Sequence, residues 1–519
     1  MALALDTVRP ATAAARHDPS RLPRRLGLTG TLLMAIGSLG AGALPVPNPL
    51  GGVRILSLPS RNATIALAIT YAGMFLLVIA WLWIGRMLRP TGAVPPAPDR
   101  SQLVRTAVLW ALPLAAAPPL FSRDVYSYLA QSATLARGLD PYLLGPVAAF
   151  GVDDPLVRSI PTIWRDIGAP YGPLFLLLGR GVTAVSGDDV LLGMYAHRAL
   201  ALLGLAGIVW VLPRLARRCR LDAGLVLWLG AANPLVLFHL VSGMHNESLM
   251  LALMLIGIEV GLRAGPSVLD PRLLAGAVLI TGASAVKLPA LLALGFLGVT
   301  WARRRAEPGP PRLRDVALAA GLLGAVALLI YVVLGVVTGT GFHWAGALGG
   351  PSRIRSWMSL STDVGQLSGK LGVLAGFGDH TDSVLTLTRG LGLLVVAGVS
   401  VLLLLRVLHG RLEPVTGLGA GLGAAVLLSP VVHPWYLLWA VVPLAATRGL
   451  PNYRRAVLAA SAVLAVMVPP TGADFNFRAY QLPMAVLAGI GIALVALLWV
   501  RRFHGRRAAG GDGSVQALR

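Results

Sequence analysis

The sequence predicts an all-α, polytopic integral membrane protein, and three observations carry that reading. Hydrophobic residues make up 56% of the 519-residue chain and charged residues only 13%, which leaves too little polar surface to cover a soluble globule of this size. Apolar runs close to the ~20 residues that a spanning helix needs recur from Leu26 to Val500. Lys and Arg, which give a net charge of +22, fall in clusters between those runs. That distribution is topological and does not point to a nucleic-acid partner. Cys219 is the only cysteine, so no intramolecular disulfide is possible.

Residues 1–25 are Ala-rich and polar, with Arg16, Arg21, Arg24 and Arg25 ahead of the first span, and read as a cytoplasmic tail. The run near 26–46 is too long for a signal-peptide core and is read as retained. Spans near 63–85 and 105–120 follow, the latter closing on Pro118 and Pro119, which places the next loop outside. That loop, 121–187, is too long for a simple connection. Tyr126, Tyr128, Tyr142, Trp164 and Tyr171 supply apolar surface that argues against disorder. The apolar run Leu174 to Val185 is short and carries Arg180. If it crossed, Arg214, Arg217, Arg218 and Arg220 would lie outside, so it reads as re-entrant or interfacial.

Further spans are expected near 188–212, 222–241 and 246–264. The stretch 273–302 carries Lys287 and Pro289 at its centre and reads as two short helices meeting outside. Spans near 314–340, 384–408, 413–431, 434–448, 454–470 and 480–502 complete about 13 to 14 transmembrane helices, with both termini inside. The membrane domain is thus 26–502, with outer loops at 121–187 and 341–383, and 503–519 forms a second cytoplasmic tail.

This topology gathers the polar residues that are not loop arginines on the outer face. They are Asp124; His245, Asn246 and Glu247; Lys287; Arg353 and Arg355; His433, Trp435 and Tyr436; and Arg478. Arg123, Arg353, Arg355 and Arg478 sit there against the positive-inside bias and read as ligands for an anion. The alternative is snorkelling to headgroups or pairing with Asp363 and Asp474. Asp124 could also be a helix N-cap, as could Asn246, with Glu247 answering the helix dipole. Trp435, Tyr436 and Trp439 read as an interfacial aromatic belt or as a stacking surface for sugar rings. His197 and Arg198 lie within a span and read as interhelical hydrogen-bonding groups. A lone His-x-Glu is not a metal signature, and no metal is assigned.

An acid in the first large outer loop, in the setting SRDVYSYLAQ, GLDPY and YGP, resembles the GT-C glycosyltransferases. More narrowly, the chain is similar to actinobacterial polyprenol-phosphate-mannose-dependent α-1,6-mannosyltransferases of lipomannan and lipoarabinomannan synthesis. The segment from Asn233 to Asn246, then KLPA, SWMSLST and PWYLLW, stand in the corresponding order. Glu247 replaces an expected aspartate after HN, and His433 an expected glutamine before PWY.

The resemblance implies a GT-C-like fold and an inverting transfer of mannose from polyprenyl phosphate mannose to a lipid-anchored mannan, forming an α-1,6 linkage outside the plasma membrane. Asp124 would be the general base. Positive charge from Arg353, Arg355, Lys287, Arg123 and Arg478 would meet the leaving phosphate. Tyr126, Tyr128, Tyr171, His245, Asn246, Glu247, Trp357, His433, Trp435 and Tyr436 would contact acceptor and sugar. No nucleotide cofactor is implied, and no Rossmann or Walker fingerprint is seen. Alternatives are a related mannosyl- or arabinosyltransferase with another acceptor, or a transporter or flippase of lipid-linked sugars. A transporter is usually built from repeated halves, and none is evident here.

Overall fold

The computed structural model of the chain describes residues 18, 20–88, 98–347, 349, 354–449, 452–471 and 480–511. Every regular element among them is helical. Among the described residues, five helices are long and apolar enough to cross a bilayer: Ala63–Met87, Val190–Arg218, Leu313–Thr338, Thr381–Leu408 and Gln481–Val500. Val236–Ser242 and Glu247–Gly261 form a sixth if taken as one span bent by 109°. Helix length therefore identifies fewer spans than the apolar runs suggested, because several runs are cut by Pro or Gly. Pro173–Ser186, Pro271–Ser284 and Pro414–Leu428 all open on proline, which suits the first turn and not the interior.

The helices differ in what covers them. In Ala63–Met87, 72% of the apolar window is buried by protein, against 22% in Leu313–Thr338, 11% in Thr381–Leu408 and 17% in Gln481–Val500. Apolar faces left that bare need lipid around them. The buried helices pack closely through small residues, as lipid-embedded bundles do. Arg21–Ala41 lies on Ala63–Met87 with Gly30 against Gly73, where a Cβ added to Gly30 would stand 2.7 Å from the Gly73 carbonyl oxygen. Glu247–Gly261 meets Pro271–Ser284 in the same way at Gly257 and Gly276.

Two interruptions position the functional region. After Gly230, Pro234 cannot donate to a continuing helix. Asn233 fills the gap, donating to the Leu229 carbonyl at 3.1 Å and accepting from the Leu235 N–H at 2.9 Å. The chain resumes as a π-helix, Val236–Ser242, a geometry often found beside functional sites. The second break divides 273–302 as expected. Pro271–Ser284 ends, Lys287 is extended, Leu288–Leu291 forms a 3-10 turn and Leu292–Ala306 runs on. The helix Pro173–Ser186 has 14 residues, too few at 1.5 Å each to cross a ~30 Å hydrocarbon core. The second expected loop carries the helix Leu360–Leu374.

Candidate active site

Asp124 owes its position to a stiff approach. Pro118 and Pro119 end the helix Arg100–Ala116, and Phe121 then takes a left-handed conformation, φ 69°. Its N–H donates to the Pro470 carbonyl at 2.9 Å, and its ring stacks on Phe238 at 4.7 Å. Such backbone strain persists only where surrounding contacts hold it. Arg123 supplies two of them, donating from Nε to the Ser159 carbonyl and from Nη2 to the Leu44 carbonyl, each at 2.9 Å. Tyr126 adds a bond from its hydroxyl to the Ala43 carbonyl at 2.6 Å.

Asp124 is the first residue of the helix Asp124–Ala136, and Arg123 occupies the N-cap position with no side-chain cap bond. The carboxylate instead faces His245, with Oδ2 3.4 Å from Nδ1. Burial opposes its ionisation. The adjoining His245 imidazole outweighs that, helped by His433 and Lys287, and holds the carboxyl below its ordinary value of 3.8.

The opposite wall comes from two motifs far apart in sequence. Met244, also left-handed at φ 55°, turns the chain out of the π-helix and presents His245. The imidazole lies flat on Trp435 at 3.8 Å, and His433 stacks on the same indole at 4.5 Å. His239 stands behind, 5.9 Å from His245 and 5.5 Å from Trp435. Trp435 and Trp439 are 9% and 4% exposed, so they line the interior and not an interfacial belt. Trp439 stacks on Tyr436 at 4.2 Å.

Lys287 closes the site from a third direction. Its ammonium pairs with Glu247 and lies 4.4 Å from the Tyr436 ring centroid, 5.5 Å from Trp439 and 5.9 Å from Tyr171. Carboxylate and aromatic faces together offset the cost of taking this cation out of water. Tyr171 is brought there by backbone docking. Gly172 donates to the Val286 carbonyl at 3.1 Å and Leu174 to the Ala285 carbonyl at 3.0 Å. The approach requires glycine, since a Cβ at position 172 would stand 2.2 Å from the Ala285 oxygen. Tyr128 meets Tyr171 edge-on at 5.0 Å.

Among the described residues, several buried polar atoms here lack a hydrogen-bond partner: both ring nitrogens of His239, Nε2 of His245, both amide atoms of Asn246, Oε2 of Glu247 and Nε1 of Trp439. Buried polar groups are ordinarily satisfied. A concentration of exceptions around one carboxylate suits a site for a hydroxyl-rich ligand. Asn246 stands at an N-cap position but makes no cap bond, and Glu247 is committed to Lys287.

The structure thus unites Asp124, Tyr128, Tyr171, His245, Asn246, Glu247, Lys287, His433, Trp435 and Tyr436. Arg123 and Tyr126 stand beside them, holding the loop through backbone carbonyls. Arg355 lies apart, paired with Asp382 at 2.8 Å in a largely exposed bridge, and Trp357 is 63% exposed. Arg353 and Arg478 lie outside the described residues. His239 joins the site without having been assigned to it, and Trp439, read as part of a belt or a stacking surface, lies there too. His239 follows Asn233 and Pro234 within one apolar run, and a buried imidazole there was the available signal. Among the described residues no group of three or more His, Cys, Asp and Glu side chains is placed to share a metal ion.

Residues 24–303 match the family model described as alpha-(1->6)-mannopyranosyltransferase, N-terminal domain, and residues 361–499 match the MptB C-terminal domain. The chain is 44% identical over 511 residues to a probable alpha-(1->6)-mannopyranosyltransferase of Mycolicibacterium smegmatis, covering 94% of this chain and 90% of that protein. It is 42% identical to an alpha-(1->6)-mannopyranosyltransferase of Mycobacterium tuberculosis, covering 92% and 87%. It is 37% identical to alpha-(1->6)-mannopyranosyltransferase B of Corynebacterium glutamicum, covering 92% and 82%. No solved structure matches it. With the family models covering most of the chain, and relatives this similar along nearly all of it, the protein belongs to the alpha-(1->6)-mannopyranosyltransferase family of glycosyltransferases.

Proposed function

We propose that the protein transfers mannose from polyprenyl phosphate mannose to a lipid-anchored mannan, forming an α-1,6 linkage at the outer face of the plasma membrane. The observation that carries this reading is the Asp124 carboxylate facing His245 beside a group of unpartnered polar side chains and aromatic rings. Asp124 accepts the proton of the acceptor's 6-hydroxyl as that oxygen attacks the anomeric carbon. The bond between that carbon and the phosphate oxygen breaks with inversion, so a β-linked donor yields an α-mannoside. The leaving polyprenyl phosphate is already a weak base and needs nearby positive charge more than a proton donor.

Lys287 supplies positive charge beside the reacting groups in this mechanism, and Arg353, Arg355 and Arg478 form a proposed outer anion site. Arg123 acts through the loop it anchors. Trp435, Tyr436 and Tyr171 offer ring faces to sugar C–H surfaces, while His245, Asn246 and Glu247 offer hydrogen bonds to hydroxyls. The lipid of the donor stays in the bilayer, both chain termini are cytoplasmic, and no nucleotide or metal takes part in the scheme.

The test is to incubate purified protein with polyprenyl phosphate mannose and a short α-mannoside, then determine the product linkage. An α-1,6-extended mannoside that requires the lipid-linked donor is the expected result. Equal transfer from a nucleotide-linked mannose, or another linkage, would overturn the reading.

A further inference from the structure

We propose that Arg198 is a positioning residue that sets the separation of Asp124 and His245 by binding the backbone of both segments that carry them. The proposal rests on the reading of Asp124 as the base.

The helix Arg100–Ala116 ends with carbonyls that the following residues cannot satisfy, because Pro118 and Pro119 have no N–H. The donors come from the neighbouring helix Val190–Arg218. Tyr195 donates its hydroxyl proton to the Ala116 carbonyl at 2.8 Å. Arg198 Nη1 donates to the Ala115 carbonyl at 2.8 Å and to the Ala117 carbonyl at 2.5 Å. The same guanidinium reaches, through Nη2, the Ser242 carbonyl at 3.5 Å.

Ala117 and Ser242 begin the two short links that lead to the site. From Ala117 the chain passes through the two prolines and the left-handed Phe121 to Asp124, and from Ser242 it passes through the left-handed Met244 to His245. A second contact ties the links together, since the Leu120 N–H donates to Ser242 Oγ at 3.2 Å. Stiff links transmit the position of their anchored ends, so the guanidinium governs where the carboxylate and the imidazole meet.

Arg198 is 1% exposed, and every acceptor it meets among the described residues is a backbone carbonyl. Carbonyls at a helix C-terminus carry the negative end of the helix dipole and partly balance a buried cation. The planar fork addresses two directions at once, which a lysine ammonium at the end of a flexible stem does not reproduce. Displacement of a catalytic group by about 1 Å typically costs about 10²-fold in rate, so a clamp on both links bears directly on turnover.

A double-mutant cycle on the purified transferase, with lipid-linked mannose and a short mannoside, separates positioning from general structural support. Arg198→Lys is expected to lower kcat about 10²-fold while the acceptor KM stays within about threefold. In an Asp124→Asn background the same substitution should change kcat less than about threefold, because the carboxylate it positions no longer takes a proton. An equal loss in both backgrounds, or a loss confined to KM, overturns the proposal. Near-normal activity of Asp124→Asn alone overturns the base reading instead, so the two failures are distinguishable. If Arg198→Lys does not yield folded protein, Arg198→Gln, which keeps an amide donor but not the charged fork, enters the same cycle. Its expected loss is about 10²-fold in the Asp124 background and less than about threefold in the Asp124→Asn background. An additive cycle for that variant, or no loss in the Asp124 background, overturns the proposal equally.

Discussion

His245 Nδ1 lies 3.4 Å from Asp124 Oδ2, with the imidazole wholly buried and the carboxylate 15% exposed. The contact joins a residue at the start of one helix to a residue in the short link that follows a π-helix. It leaves a face of the carboxylate open to an incoming hydroxyl.

Asp124→Asn separates this role from capping. Asparagine caps about as well as aspartate, and the Asp124 side chain makes no cap bond here, so no cap is lost and any fall in melting temperature, from the lost contact with His245, should be small beside the loss of rate. Loss of the proton acceptor should lower kcat by about 10² to 10⁴. Turnover and thermal unfolding measured on one preparation decide the matter. Near-normal turnover in folded protein would contradict the mechanism.

The pH dependence has a definite sign. The carboxyl of Asp124 is held below 3.8, so it is ionised at every pH above that value and is lost as a base only as pH falls through its lowered pKa. The stability it contributes follows the same course, being present above the ordinary carboxylate value and lost below it. Initial rates from pH 5 to 8 should therefore show no acid limb from Asp124. An acid limb between pH 5 and 8 that Asp124→Glu moves would count against this assignment.

Glu247 and Lys287 form a pair with side chains 0% and 14% exposed. Glu247→Gln leaves a buried ammonium unbalanced and should cost about 3–5 kcal/mol, and Lys287→Met should cost a similar amount. The double variant should lose clearly less than the sum. Denaturation midpoints in detergent would show the coupling, and strict additivity would mean that the pair is not a unit.

Gly172→Ala tests the docking of the YGP turn. Its Cβ would stand 2.2 Å from the Ala285 oxygen, so the turn must move away from the segment that carries Lys287. Overpacking of this kind costs about 1–3 kcal/mol, and activity should fall more steeply than stability because Tyr171 moves with the turn. Wild-type turnover in this variant would show that the contact has no bearing on the site.

Arg355→Ala addresses the outer anion site. The bridge to Asp382 is largely exposed, so its loss should change stability by less than about 1 kcal/mol. If Arg355 binds the donor phosphate, the donor KM should rise while the acceptor KM stays unchanged, and lysine should restore it only in part. Unchanged donor kinetics would remove Arg355 from the site.

The sequence by itself determined the membrane class, the helical content and the places where helices must break. Apolar runs, prolines and charge clusters act locally, so Pro118 and Pro119 announced the exit before Asp124, and Lys287 with Pro289 announced the division of 273–302. It also brought out His245, His433 and Trp435 as candidates for one site, and Arg198 as a cation bound between helices. Tertiary structure decided which of these groups face one another. Charge bias assigned Arg123 to an anion, yet its guanidinium binds the carbonyls of Ser159 and Leu44, because a charge count cannot see backbone oxygens brought in from distant turns. Amphipathic aromatics suggested a belt at Trp435 and Trp439, yet both are interior, stacked on His245 and Tyr436. Burial of that kind depends on helices remote in sequence closing over the same face, and only the packed chain supplies them.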